Sequence, residues 1–183
     1  MTATVLDRAP DLIEAVIGFR QWRMDAPGVL RSLHTAEVWA GPELRASCDA
    51  GHEVPGTACS CGIYAWYRQC PRTGSAGTRD LVAGAVALWG EIELHATGMR
   101  AEHCRIVAFA LPLSRGEKRR RLIATAERFG VPAVPHRALH RVAERYGASV
   151  PGHLKPEREA AACIGVVPRA VDSLVSHPTR RSR

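Results

Sequence analysis

The sequence predicts an α+β protein, in which a body of antiparallel strands precedes two or three helices. Apolar and polar residues alternate strictly over Glu91–His95, which is the pattern of a half-buried strand. After Pro112 the apolar residues instead recur at helical spacing. Residues 48–61 are rich in Gly, Pro and Cys and lack an apolar period, so we expect a loop that a bound zinc ion stabilises.

The composition is that of one folded unit. The 183 residues are 46% hydrophobic and 23% charged, as in an ordinary globular domain and unlike a disordered chain. A chain of this length can bury one core and carry a small appendage. We therefore expect a β-rich domain over residues 1–112, a helical region packed on it over 113–178, and a basic tail over 179–183.

The sequence shows neither a membrane span nor a secretory signal. No stretch approaches the roughly 20 consecutive apolar residues that cross a bilayer. Met1–Arg8 lacks a basic segment followed by an apolar one. We therefore expect a cytoplasmic protein, whose 6 cysteines serve as metal ligands or small buried residues rather than as disulfide partners.

Two hairpins are predicted in the β-rich region. Residues 11–24 pass from a short helical turn into a strand, and Pro27-Gly28 provides a turn before Val29–Leu33 returns. The second hairpin is clearer, because the strand that ends at His95 is followed by the turn residues Ala96–Met99 and then by a return strand from Arg100 to Phe109.

Helices are predicted after the second hairpin. Ser114 can cap the first one, with Glu117 completing a capping box, and Gly130 can end it. Its apolar residues at helical spacing are Leu122, Ile123, Ala126 and Phe129. A second helix is expected over His136–Tyr146, and a short third one after Pro156.

The most specific feature is a Cys-x3-His-x6-Cys-x-Cys pattern formed by Cys48, His52, Cys59 and Cys61. Three thiolates and one imidazole suit tetrahedral zinc, and a site with four protein ligands leaves no position for a reactive water. Cys70 could replace either Cys59 or Cys61. The alternatives are an iron-sulfur cluster, which the spacings do not favour, a redox pair without the usual Cys-x-x-Cys motif, or ordinary small residues.

Polar residues of the second hairpin offer an enzymatic alternative. Glu91, Glu93 and His95 share one face of the first strand, and Glu102 and Cys104 lie on the facing return strand. These groups could form an acid/base or metal-dependent hydrolase site centred on His95 and Glu102. Solvated cross-strand ion pairs are the simpler interpretation of the same pattern.

A basic segment at the start of the first helix could grip phosphates. Its members are Arg115, Lys118, Arg119, Arg120 and Arg121. The net charge of +7 would favour a polyanionic partner, although an Arg-rich composition has other causes. Val131–Pro135 is too rich in proline for the tight turn of a helix-turn-helix, so the basic face can equally be a solvated surface.

Several blocks of the chain resemble small proteins of actinobacteria and their phages. The blocks are Ile17-Gly18-Phe19-Arg20, Trp39-Ala40-Gly41-Pro42, Cys59-Ser60-Cys61-Gly62-Ile63-Tyr64-Ala65, Trp89-Gly90 and Gly98-Met99-Arg100-Ala101-Glu102. This resemblance spans about residues 16 to 147 and implies the same β-rich body, but it carries no activity with it.

Together these features predict a zinc-stabilised regulatory or accessory protein that binds a macromolecular partner, either nucleic acid or protein. The basic segment favours nucleic acid. A hydrolase and a pure protein-interaction module remain the alternatives, and the four tryptophans are expected to fill the core or line one pocket.

Overall fold

The computed structural model describes residues 14–25, 28–35, 37–56, 59–73 and 80–157. Within them, eight strands form one mixed sheet, and two α-helices follow most of it, which confirms the α+β class. The strands are β1 (Val16–Met24), β2 (Leu30–Arg31), β3 (Val38–Trp39), β4 (Glu43–Arg45), β5 (Ile63–Trp66), β6 (Leu81–Leu94), β7 (Gly98–Leu111) and β8 (Ala133–Pro135). The helices are α1 (Glu117–Phe129) and α2 (Leu139–Ala143), and short 3-10 turns cover His136–Ala138 and Gly152–Leu154.

Four strands form a closed circuit of pairing. Strand β6 pairs with β1 on one edge and with β7 on the other, and β5 pairs with both β7 and β1. The last of these contacts joins Phe19 to Trp66. A Cβ added to Gly18 would lie 2.7 Å from the Ala65 Cβ and 3.1 Å from Leu88 Cδ1, so the interior of the circuit leaves no room for a side chain there.

Apolar side chains cover both faces of the sheet. The larger cluster contains Trp22, Trp39 and Phe109 and packs against Leu122 and Phe129 of α1. The smaller cluster packs alanines and Ile17 of the sheet against Leu139 and Ala143 of α2. Because α1 and α2 cover different clusters, the sheet is enclosed between them.

Both predicted hairpins are present. Strands β1 and β2 pair antiparallel with Arg23 opposite Arg31, and β6 and β7 pair antiparallel over most of their length. Register shifts interrupt the long hairpin between Ala85 and Val86 and between Trp89 and Ile92. Gly90, with a φ of 77°, lies within the second shift, as expected for a bulge that needs a left-handed residue.

The first helix differs from its prediction at its start. The N-cap is Gly116, no side chain caps the helix, and the predicted Ser114 capping box is therefore wrong. The C-cap at Gly130 is confirmed, because this residue has a φ of 66° and its amide bonds back to the last turn. The helix begins later because Arg119 and Arg120 donate their backbone N–H groups to the Gly116 carbonyl.

The segment after α1 adds a strand that the sequence did not predict. Strand β8 pairs in parallel with β7, with Phe109 opposite Ala133. It joins the described part of the C-terminal region to the same sheet. None of the helices in the described residues has the length and apolar character needed to cross a membrane. The predicted helix after Pro156 falls almost wholly outside the described residues. The basic tail at 179–183 falls wholly outside them.

Candidate metal centre

The topology of β7 explains why distant cysteines meet. One edge of β7 pairs with β4 at Cys104 and its neighbours, and the same edge pairs with β5 from Ala101 onward. Residues 46–62 therefore leave the sheet at the end of β4 and return beside their starting point as β5. Cys48 lies just after the exit and Cys61 just before the return, so both ends of the loop lie close together.

Three sulfur atoms form the centre. The Sγ atoms of Cys48, Cys59 and Cys61 all lie within 4.8 Å of one another, in half-buried positions. The Nδ1 atom of His52 lies 3.6 Å from the Cys48 Sγ. A tetrahedral zinc with ordinary bond lengths separates two sulfurs by about 3.8 Å and a sulfur from a nitrogen by about 3.6 Å. The three sulfurs therefore fit one zinc ion. His52 lies outside the group of ligand atoms that are all within 4.8 Å of one another, so its ring must move toward Cys59 and Cys61 to become the fourth ligand.

The thiols of the loop are electrostatically unequal. Hydrogen bonds to Cys48, first from the backbone amide of His52 and then from the Cys61 side chain, lower the Cys48 pKa to about 7. The pKa of Cys61 rises to about 11, because this thiol is hydrogen-bonded to Cys48 and Cys59. The lowered pKa of Cys48 favours its thiolate, which is the form that binds metal.

Arg100 of β7 holds the loop to the sheet, and sequence analysis did not identify it as part of the site. Its guanidinium donates to three backbone carbonyls of the loop, those of Cys59 (2.6 Å), Cys61 (3.0 Å) and Gly56 (3.0 Å). The residue is only 5% exposed. A buried arginine that satisfies three carbonyls fixes the backbone of two proposed ligands.

Glu93 on β6 supplies the counter-charge of Arg100. Its Oε2 atom accepts hydrogen bonds from the Arg100 Nε (2.9 Å) and Nη2 (2.5 Å). Burial disfavours the charge on Arg100, but pairing with Glu93 outweighs it and raises the Arg100 pKa above its usual value. The local sequence signal was weak, because an arginine opposite a glutamate in a hairpin is equally typical of a solvated pair.

The other described cysteines lie outside this centre. Cys70 and Cys104 are both buried, and burial raises the pKa of each thiol to about 12. His136 Nε2 lies 2.8 Å from the carbonyl oxygen of Cys70, which ties this residue to the segment before α2. The described structure therefore does not bring Cys70 into the sulfur cluster, and Cys59 and Cys61 keep their positions there.

The residues of the predicted acid/base site separate into different groups. His95 Nε2 lies 3.3 Å from Glu93 Oε1, near the hairpin turn. Glu102 accepts a hydrogen bond from Arg45 at 2.9 Å. Along β7, Glu102 lies four residues from Gly98, whose carbonyl binds the His95 amide, so Glu102 and His95 are roughly 13 Å apart along the strand. Cys104 is fully buried in the core. The register shift between Trp89 and Ile92 puts an extra residue in β6, where three steps face two steps from His103 to Ala101, so the alternation is interrupted at Glu91.

The basic segment is only partly available to a partner. Glu117 bonds to Arg120 (2.5 Å) and Arg121 (3.0 Å), and these bonds lower the Glu117 pKa. Lys118 donates to the Leu81 carbonyl, and burial lowers its pKa. Arg115 is exposed, Arg119 is half-buried, and the described residues show no side-chain ion pair for either.

The tryptophans divide into two pairs. Trp22 and Trp39 are buried and meet edge to face, as expected for core residues. Trp66 and Trp89 are 41% and 37% exposed.

Comparison of the chain with models of protein families, with curated proteins and with solved structures finds no match.

Proposed function

We propose that this protein is a zinc-stabilised accessory protein that binds nucleic acid. The observation that carries the zinc assignment is the convergence of Cys48, Cys59 and Cys61, with His52 Nδ1 at 3.6 Å from the Cys48 sulfur. Three thiolates and an imidazole are a common donor set of structural zinc and would fill all four positions of the ion. Such an ion stabilises the loop and leaves no site for a catalytic water.

The surroundings of the cluster support a structural role. The loop backbone is held by Arg100, and Tyr64 donates its hydroxyl hydrogen to the Ser60 carbonyl between two of the cysteines at 2.6 Å. Hydrogen bonds of this kind hold metal-binding side chains in place. The hairpin carboxylates of Glu93 and Glu102 bind arginines, and neither belongs to the group of candidate ligands among the described residues.

Nucleic acid is the favoured partner because of charge. The chain carries a net charge of +7, and the segment from Arg115 to Arg121 contains five basic residues and one acidic residue. Arg115 and Arg119 can each contact a phosphate, whereas Lys118 is engaged with the sheet. Phosphate contacts of this type give binding that weakens as salt increases, and they carry little sequence specificity.

Elemental analysis tests the zinc proposal. Protein purified without a metal-binding tag should contain about one zinc per chain, and Cys48→Ser or Cys61→Ser should lose the metal and lower the thermal unfolding temperature. Cys70→Ser is the matched control, since its thiol lies outside the cluster and should leave the zinc content unchanged. Wild-type protein that is fully folded without metal would refute the assignment.

Salt-dependent binding tests the partner. The wild type should bind random-sequence DNA or RNA with an affinity that falls as salt rises, and Arg115→Ala with Arg119→Ala should reduce the slope of log K against log salt by about two. A double variant of the exposed residues Arg137 and Arg141, each changed to alanine, removes the same charge elsewhere.

The two double variants separate a specific surface from bulk charge. An unchanged slope in the Arg137 and Arg141 control would support contacts at the start of α1. An equal loss in both variants would indicate charge alone, and salt-independent behaviour would point to a protein partner instead.

A further inference from the structure

An open cavity of about 620 Å³ lies apart from the metal loop and from α1. It is formed where the end of β5, the turn between β6 and β7 and the segment after α2 meet. Residues that line it include Trp66, Tyr67, Arg68, Gln69, Thr97 and Lys155. Its volume falls within the range of pockets that bind small molecules.

One wall of the cavity is aromatic and firmly placed. Trp66 is the last residue of β5, and its backbone pairs with Phe19 on one side and Gly98 on the other. Its ring is nevertheless 41% exposed. The next residue, Tyr67, is half-buried and hydrogen-bonds through its amide to the Thr97 carbonyl at 3.3 Å. Exposed indole faces on a rigid strand are suitable platforms for stacking a planar ring.

The charged groups of the cavity are all cationic. Arg68 is exposed, and Lys155 places its Nζ 4.8 Å from the centre of the Tyr67 ring. No aspartate or glutamate lines the cavity, and no carboxylate in the described residues pairs with either cation. Two cations without an acidic neighbour favour a ligand that carries negative charge.

Polar groups in the wall could fix the orientation of such a ligand. Gln21 lines the cavity, and its side-chain amide has no hydrogen-bond partner among the described residues. The Gln69 amide is already used, because it donates to the His136 carbonyl at 2.5 Å. Free donors and acceptors beside an aromatic wall are what a nucleobase and its sugar require.

We propose that this cavity binds a nucleotide, with its base stacked on Trp66 and its phosphate near Arg68 and Lys155. The inference goes beyond the proposed function, because it uses none of the zinc ligands and none of the α1 residues. The nucleotide can be free or can belong to a single strand, since both present the same base and phosphate.

Calorimetric titration with AMP tests the site. AMP should bind more tightly than adenosine or inorganic phosphate, because only AMP uses both walls. Trp66→Ala and Arg68→Ala should each weaken AMP binding by about tenfold or more. Trp66→Phe should restore much of the lost affinity, since it keeps a stacking ring. Thermal unfolding of each variant verifies that it is folded.

Matched controls exist for both substitutions. Trp89→Ala removes a tryptophan of similar exposure (37%) outside the cavity, and Arg72→Ala removes an exposed arginine near Arg68 that does not line it. Neither should change AMP affinity by more than about twofold. Absence of AMP binding, or equal losses in variants and controls, would overturn the proposal.

A competition experiment distinguishes the two sources of the nucleotide. An oligoadenylate that displaces AMP, and that Trp66→Ala weakens, identifies a single strand as the ligand. An oligoadenylate that leaves AMP binding unchanged identifies the free nucleotide as the ligand. Either of these two outcomes supports a nucleotide site. The Arg115 and Arg119 double variant should bind AMP normally, so failure of the proposed nucleic-acid surface would not be mistaken for failure of the cavity.

Discussion

Replacing Arg100 by methionine should lower the free energy of unfolding by about 3–5 kcal/mol. The substitution keeps much of the buried stem but removes hydrogen bonds to the carbonyls of Gly56, Cys59 and Cys61. It also removes the arginine that pairs with the Glu93 carboxylate, which then keeps only its contact with His95. Denaturant unfolding with zinc bound measures the loss, and zinc competition with a chelator should show weaker metal binding, because the loop carbonyls are no longer held.

The matched control for Arg100 is Arg105→Met. Arg105 is also on β7, but its pair with Glu43 is 3.7 Å long and exposed on both sides. We expect this change to cost less than about 1 kcal/mol. Similar losses at Arg100 and Arg105 would mean that Arg100 contributes only general charge, and would contradict the role assigned to its carbonyl contacts.

Trp22→Ala should also cost about 3–5 kcal/mol, for a different reason. Trp22 is fully buried and meets Trp39 and Phe109 edge to face, with ring centres 5.5 and 5.8 Å away. Its indole N–H has no hydrogen-bond partner among the described residues, so the loss comes from packing and from the cavity that remains. Chemical denaturation of the purified variant measures the loss.

Trp89→Ala provides the comparison for Trp22. Its ring is 37% exposed and stacks on His103 at 5.5 Å, so we expect a loss of about 1 kcal/mol or less. Trp22→Phe should fall between the two, because it keeps an aromatic ring in the cluster. Equal losses for Trp22→Ala and Trp89→Ala would contradict the burial of Trp22 in the core and the exposure of Trp89.

The strands that carry strong local patterns could be predicted from the sequence. The alternation before His95 and the turn residues after it were enough to predict the β6–β7 hairpin, and Gly130 correctly marked the end of α1. These features depend on neighbours within a few positions. The hairpin between β1 and β2 was predictable for the same reason, since turn residues mark its loop.

Features that depend on distant contacts could not be predicted. Strand β8 lies in a segment whose two prolines indicated a connection, and it exists because the edge of β7 was free to pair with Ala133–Pro135. Cys104 was expected beside Glu102 in a polar site, but it is fully buried between its partners Leu88 of β6 and Leu44 of β4. The pairing of a strand on both edges is a long-range property, and alternation alone does not reveal it.

The candidate site shows the same division. Cys48, Cys59 and Cys61, whose sulfurs the structure brings together, could be chosen from their type and spacing, whereas the sequence could not show that His52 lies outside their mutual 4.8 Å group. Arg100 could not be chosen, since its partners are backbone carbonyls that a sequence does not distinguish. Trp66 could be identified as an aromatic residue but not as a cavity wall, which depends on the turn between β6 and β7.

Strand β5 places the metal loop and the cavity on one short piece of backbone. It begins at Ile63, two residues after Cys61, and it ends at Trp66. A metal at one end and a ligand at the other would act on the same four residues, and a change in this strand on binding either one would link the two equilibria. Any factor by which zinc changes nucleotide affinity must equal the factor by which nucleotide changes zinc affinity. Through this strand, the supply of metal would set how readily the protein responds to its second ligand.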